Sequence, residues 1–178
     1  METNNDRVED KGKYSKQQLE DARFGWFLYD APYKCARYIG QMVSGKSVFD
    51  MGAGTGIMAK IVAAITNKQV YPYEGNLYFT DYPDEQFGTV YSSHVLEHLA
   101  EPEKMIKESI RIASKKVIHI VPQGNVDHLN LGTPHLRYFN RKTLYNMVFE
   151  ITKGRYPTTI TFIEDCHMNS LMITIHKG

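Results

Sequence analysis

The stretch Val48 to Gly56, VFDMGAGTG, constrains this chain more than any other. A short apolar run ends in the acid Asp50, and glycines follow at positions 52, 54 and 56. The apolar segment IMAKIVAAIT comes directly after. Physically this reads as a buried strand, a tight turn and a helix start. Gly52, Gly54 and Gly56 supply positive φ and bare backbone where a Cβ would not fit. Such a loop lets a ligand lie against main-chain amides near a helix N-terminus. A lone GxGxG also suits a tight turn between any strand and helix, so its neighbours decide. The dinucleotide fingerprint GxGxxG needs a glycine at 57, where Ile57 stands.

The 178 residues suit one domain, assigned here to 15–178, with the polar stretch 1–14 as a flexible tail. A formal net charge of +1 advertises neither nucleic acid nor membrane. Cys35 and Cys166 match no metal-ligand or disulfide spacing. The start of the chain lacks the apolar core of a signal peptide, and no apolar run is long enough to span a bilayer. The expectation is a soluble, cytoplasmic protein.

Around the glycine loop the pattern alternates helix and strand. Ser15 and Gln18 form a capping box for a helix to about Tyr29, and Asp30 with Pro32 restarts one. Trp26, Phe27, Tyr29 and Tyr33 make this region aromatic, suited to packing on the sheet or to covering a ligand. Asn67 stops the helix after the glycines, and Gln69 to Glu74 reads as a second strand despite Pro72. Leu77 to Thr80 suits a third strand and Thr89 to Ser92 a fourth. Ala100 to Ala113 suits a helix, and Ser114-Lys115-Lys116 a turn into a fifth strand at Val117 to Val121, with His119 a core or sheet-face residue. Asn140 caps a helix to about Ile151, and two strands close the chain.

The acid at Asp50, the GxGxG at 52–56 and the phrase from Asn76 onward, NLYFTDYPDEQFGTVYSSHVLEHL, resemble the class I S-adenosylmethionine (SAM)-dependent methyltransferases. The wording is similar to the UbiE-like and type 11 and 23 families, in which D-x-P, FD-x-V and LEH recur. The resemblance implies a Rossmann-like α/β fold, with a mostly parallel sheet and an antiparallel last strand. It implies SAM as cofactor, bound by Asp50, Gly52, Gly54 and Gly56. Glu74 would hold the ribose hydroxyls, Asp81 and the amide of Tyr82 the adenine, and Ser92 and Ser93 would lie beside the transferable methyl. Two departures stand out. Glu74 and Asp81 are only seven positions apart, too close for the usual intervening helix, and Gly88 replaces the second acid of FD-x-V.

His94-Val95-Leu96-Glu97-His98 also spells HxxEH, the inverted zinc-peptidase signature, which needs a helix to bring both histidines to one face. A peptidase would not explain the glycine loop, so no metal is expected and His94 is placed on the active-site rim. Gly124 to Asn140 is a long polar loop after the fifth strand, where open α/β sheets bind ligands. The segment PHLRYFNRKTLYNMV resembles the family's H-x-R-x-F stretch. His128 and His135 are therefore the candidate bases, their ordinary pKa lying near working pH. Arg137 and Tyr138, with His94, are candidate acceptor contacts.

The expected function is methyl transfer from SAM to an acceptor, with a small molecule slightly preferred, nucleic acid left open and no membrane partner. The rival is a non-catalytic SAM- or nucleotide-binding subunit that supports a protein partner, kept in play by the short segment between Glu74 and Asp81.

Overall fold

A computed structural model describes residues 31–124, 135–164 and 169–178. The tail at 1–14, the helix expected over 15–29, the cap at Asp30 and His128 lie outside the described residues. Among the described residues six strands form one sheet: β1 (Ser47–Met51), β2 (Gln69–Tyr73), β3 (Phe87–Ser93), β4 (Ala113–Pro122), β5 (Thr158–Glu164) and β6 (Asn169–His176). Their spatial order is β2-β1-β3-β4-β6-β5. β1 to β4 run parallel, and β6 is antiparallel to both of its neighbours. Helices α1 (Ala31–Met42), α2 (Ile57–Thr66), α3 (Pro102–Ile112) and α4 (Arg141–Thr152) accompany them. This is the expected Rossmann-like sheet with its antiparallel last strand.

The period-2 alternation of the strands divides the core between two faces. Phe49, Val90, Val117 and Ile173 pack under α3 and α4, while Val48, Tyr91, Ile118 and Met172 pack under α1 and α2. Asn67 ends α2 in the left-handed region (φ 52°), its amide bonded to the Ala63 carbonyl. Asn140 and Thr143 form a reciprocal capping box at the start of α4. Pro72 is tolerated because β2 is the edge strand, where a missing donor costs no ladder bond.

Three expectations need correction. Leu77 to Thr80 forms no strand, because side chains take its amides: Asn76 Oδ1 accepts from Tyr78 (2.8 Å) and Phe79 (3.0 Å), and Glu108 accepts from Thr80 (2.7 Å). No turn separates α3 from the next strand, since Ala113 is already extended and β4 begins there. The HxxEH segment is not an α-helix. His94 sits at φ 56°, and only a 3-10 turn, Leu96–His98, follows it.

Gly88, the departure from the family's acid, has a packing reason. A Cβ there would lie 2.5 Å from the Ser44 carbonyl oxygen and 2.7 Å from Gly45 Cα. Two glycine backbones thus touch at the foot of β1 and β3. Restoring the family wording with Gly88→Asp is expected to destabilise the fold by about 3 kcal/mol, because backbone on the other side cannot yield as a rotamer can. Thermal unfolding of the variant measures it.

Candidate active site

The glycine loop hangs on the end of β2. The amides of Gly52 and Ala53 both donate to the Tyr73 carbonyl (2.9 and 3.0 Å), and Gly56 donates to Ala53 (2.9 Å). Gly52, Gly54 and Gly56 have φ of 84°, 57° and 74°, where an L side chain is strained. A Cβ on Gly52 would strike Val95, 2.9 Å away, whereas one on Gly54 would meet nothing within 4 Å. Gly54 is therefore the open face of the loop. The Glu74 carboxylate reaches back from beyond β2 and accepts the Gly54 amide proton. The Gly54 amide and the Glu74 carboxylate thus meet on the open side of the turn.

Asp50 lies beneath the loop, 2% exposed and paired across the sheet with Tyr91. Burial pushes its carboxyl up to about 7, against the pull of the Tyr91 phenol and with a further push from Glu74. Its Oδ2 has no hydrogen-bond partner among the described residues. Such an atom is poised for a polar or cationic ligand group.

Asp81 is exposed on the loop before β3. Burial raises the Tyr73 phenol, and the charge of Asp81 raises it further. The Tyr82 ring packs edge-on against Phe49 (5.2 Å) and Phe87 (5.0 Å), filling space beside β1 and β3. What fixes this loop is a clamp on α3. Arg111 donates to the carbonyls of Tyr82 (2.8 Å) and Thr80 (3.2 Å), to Asp84 (2.6 Å) and to both oxygens of Glu108. Glu108 in turn accepts from the Thr80 hydroxyl (2.7 Å). Burial raises the Glu108 carboxyl, but the bonds from Arg111 and Thr80 outweigh it and hold it low.

Ser92 and Ser93 end β3 on opposite faces. Ser109 donates its hydroxyl proton to the Ile106 carbonyl (2.8 Å), so it accepts from His119 Nε2 (3.1 Å). His119 Nδ1 then accepts from Ser92 (2.8 Å). Burial lowers the His119 pKa to about 3, which keeps this chain neutral. His119 is a core residue as expected, and the Ser92 hydroxyl is committed to it. The Ser93 hydroxyl is buried on the Asp50 and Tyr91 side, with no hydrogen-bond partner among the described residues.

The turn after β3 gathers the remaining polar groups. Glu97 is fully buried, 3.5 Å from His94 Nδ1 and 3.8 Å from His98 Nε2. Burial raises its carboxyl, yet His94 and His98 outweigh that and leave it below the usual carboxylate range. The His98 and His135 rings meet at 4.9 Å. The amides of Leu136 and Arg137 donate to the Glu97 carbonyl (2.8 and 3.3 Å), which ties His135 to the turn. Arg137 itself bonds the carbonyls of Leu99 (3.4 Å) and Ala100, so it braces the turn, while the Tyr138 side is exposed.

The structure thus brings Glu74 to the glycine loop and His94 and His135 to one cluster. Sequence reasoning gave no functional place to Glu97, His98, Tyr91 or Arg111. HxxEH signalled the first two, and nothing local marks the others.

The family described as "methyltransferase domain" matches residues 27–150. No curated protein matches the chain. Among solved structures, a SAM-dependent methyltransferase from Archaeoglobus fulgidus has a TM-score of 0.69 at 14% identity, covering 92% of this chain and 100% of its own. The 1,6-didemethyltoxoflavin-N1-methyltransferase of Burkholderia thailandensis, with that compound and S-adenosylhomocysteine bound, gives 0.66 at 12% over 90% and 84%. A Haloferax volcanii complex of the Trm112 methyltransferase activator with a protein assigned as a methyltransferase gives 0.65 at 11% over 90% and 94%. These likenesses establish the fold, and no helix among the described residues is long and apolar enough to cross a membrane. With the family match spanning most of the chain, it belongs to the methyltransferase-domain family, as a class I SAM-dependent methyltransferase.

Proposed function

We propose that this chain methylates a small-molecule acceptor, holding SAM across the ends of β1, β2 and β3. The observation that carries the reading is the Glu74 carboxylate accepting the Gly54 amide proton on the open side of the glycine loop. An acid in that place accepts hydrogen bonds from ribose hydroxyls. Asp81 and Tyr82 flank the adenine, and Asp50 lies beneath the loop. When bound, SAM supplies a methyl carbon made electrophilic by its sulfonium. The protein's task is then to align the acceptor and exclude water. Ser93, His94, His135 and Tyr138 border the acceptor's approach, and His135 lies where it can handle an acceptor proton. His128 remains the second candidate base. The free, buried thiol of Cys35 agrees with a reducing, cytoplasmic setting.

Calorimetric titration with SAM and S-adenosylhomocysteine tests this. Glu74→Ala is expected to weaken binding about tenfold to a hundredfold, the worth of a hydrogen bond to a charged group. Asp81→Ala is expected to weaken it less, because that side chain is exposed. Absence of binding by the wild-type protein would remove the reading.

A second reading has one observation in its favour. β2 is the outer strand because Leu77 to Thr80 does not pair with it. A protein partner seated on that edge would complete the cofactor side, and SAM binding that appears only with a partner would support it.

A further inference from the structure

We propose that Glu97, His98 and His135 form a binding site for a divalent transition-metal ion, with zinc the best-matched, at the acceptor side of the active site. One donor atom from each of the three residues lies within 4.8 Å of the others. They come from two places in the chain, the 3-10 turn at Leu96–His98 and the segment at 135, joined by the Leu136 and Arg137 amides on the Glu97 carbonyl. One carboxylate and two imidazoles are a donor set that suits zinc and its first-row neighbours, and does not suit magnesium or calcium.

The distances favour a shared ion over a simple ion pair. His98 Nε2 lies 3.8 Å from Glu97 Oε1, too long for a charge-assisted hydrogen bond. Two ligands on one tetrahedral ion, each with a bond of about 2.1 Å, stand about 3.4 Å apart. Neither Glu97 oxygen has a hydrogen-bond partner among the described residues, although the side chain is fully buried. A buried carboxylate in that condition is costly unless something else meets it. The imidazoles complete the picture on the outer side. His98 keeps 23% of its side-chain surface, so the cluster opens towards solvent where a further ligand can enter.

The arrangement also departs from the peptidase pattern that shares its spelling. There, the two histidines of one helix bind the ion and the glutamate works as a base. Here the turn at His94 swings that residue out of the helical register, Glu97 becomes a ligand, and His135 replaces His94. His94, 3.5 Å from Glu97, then orients the carboxylate from outside the ligand set. Val95 packs on Gly52, so the cluster and the glycine loop share a wall. On the methyltransferase reading, on which only this role rests, the open coordination position takes an oxygen or nitrogen donor of the acceptor, and with the ion bound His135 serves as a ligand and leaves the base role to His128.

The test is titration of the metal-stripped full chain with Zn2+ by calorimetry, and with Co2+ by visible absorption, in the absence of SAM. One saturable site is expected, with the absorption of four- or five-coordinate cobalt. His135→Ala and His98→Ala are each expected to lower the affinity by roughly a hundredfold. His135→Ala keeps the test usable if Glu97→Gln fails to fold, since His135 is partly exposed. Magnesium in place of zinc is expected to give no saturable signal. Wild-type binding no tighter than that of the His98→Ala/His135→Ala double variant would overturn the proposal. A parallel SAM titration separates the two readings: SAM binding without metal binding defeats the metal site alone, and metal binding without SAM binding defeats the cofactor reading alone.

Discussion

Asp50→Asn is expected to make the protein more stable at pH 8 while taking away most of its SAM affinity. The carboxyl is pushed from 3.8 up to about 7 in the folded state, chiefly by burial. The folded protein therefore holds a proton that the unfolded chain has released between those two values. Stability must fall as pH rises through that window and then level off. A shift of about three pKa units corresponds to at most about 4 kcal/mol, and relaxation of the site will reduce it. Asparagine keeps the shape and drops the charge. The variant's advantage should be near zero at pH 4, grow to about pH 7 and stay constant above it. At roughly 2–4 °C per kcal/mol for a chain of this size, that is a rise of at most about 8–16 °C in Tm. Saturating SAM should narrow the gap, because a cationic ligand over Asp50 favours the ionised form. Melting curves at several pH values, with and without SAM, decide it. Parallel curves across the pH range would mean that Asp50 is ionised without penalty.

Arg111→Ala is expected to cost about 3–5 kcal/mol and to weaken SAM binding at a distance. Five hydrogen bonds from one guanidinium hold Thr80, Tyr82, Asp84 and Glu108 together. Truncation leaves the Glu108 carboxylate, 5% exposed, without its cation, which is the costly way to break a buried pair. The loop carrying Asp81 and Tyr82 then loses its carbonyl anchors. Removing both charges together, in Glu108→Gln/Arg111→Met, should recover much of the stability but not the loop's order. Chemical denaturation reads the first effect, and amide hydrogen exchange at 80–85 reads the second. Unchanged exchange there would show that the aromatic packing of Tyr82 suffices.

How much of this was legible in the chain itself depends on how local each cause is. The glycine loop, Asn67 as a stop and Asn140 as a cap are written in short patterns, and they form where the sequence placed them. The failure at Leu77 to Thr80 has a non-local cause, because Glu108 takes the Thr80 amide from 28 positions away. Apolar periodicity cannot register that. Gly88 read as a lost acid until the approach of Gly45 gave it a reason. In the candidate site, Glu74 was readable from its place after a strand. The gathering of Glu97 and His98 with His135 was not, since the histidine pattern implied a helix and the positive φ of His94 breaks it.

The place of β6 in the sheet bears on the order in which the chain assembles. β6 is the last strand in sequence, yet it lies between β4 and β5 and supplies every ladder bond that β5 makes. During synthesis β5 emerges first and has no partner until the following residues leave the ribosome. The parallel half, β1 to β4, can close earlier around its own core. The final two strands must arrive as a preformed hairpin or wait as an unpaired pair of edges, and β4 stays open to intermolecular pairing for that interval.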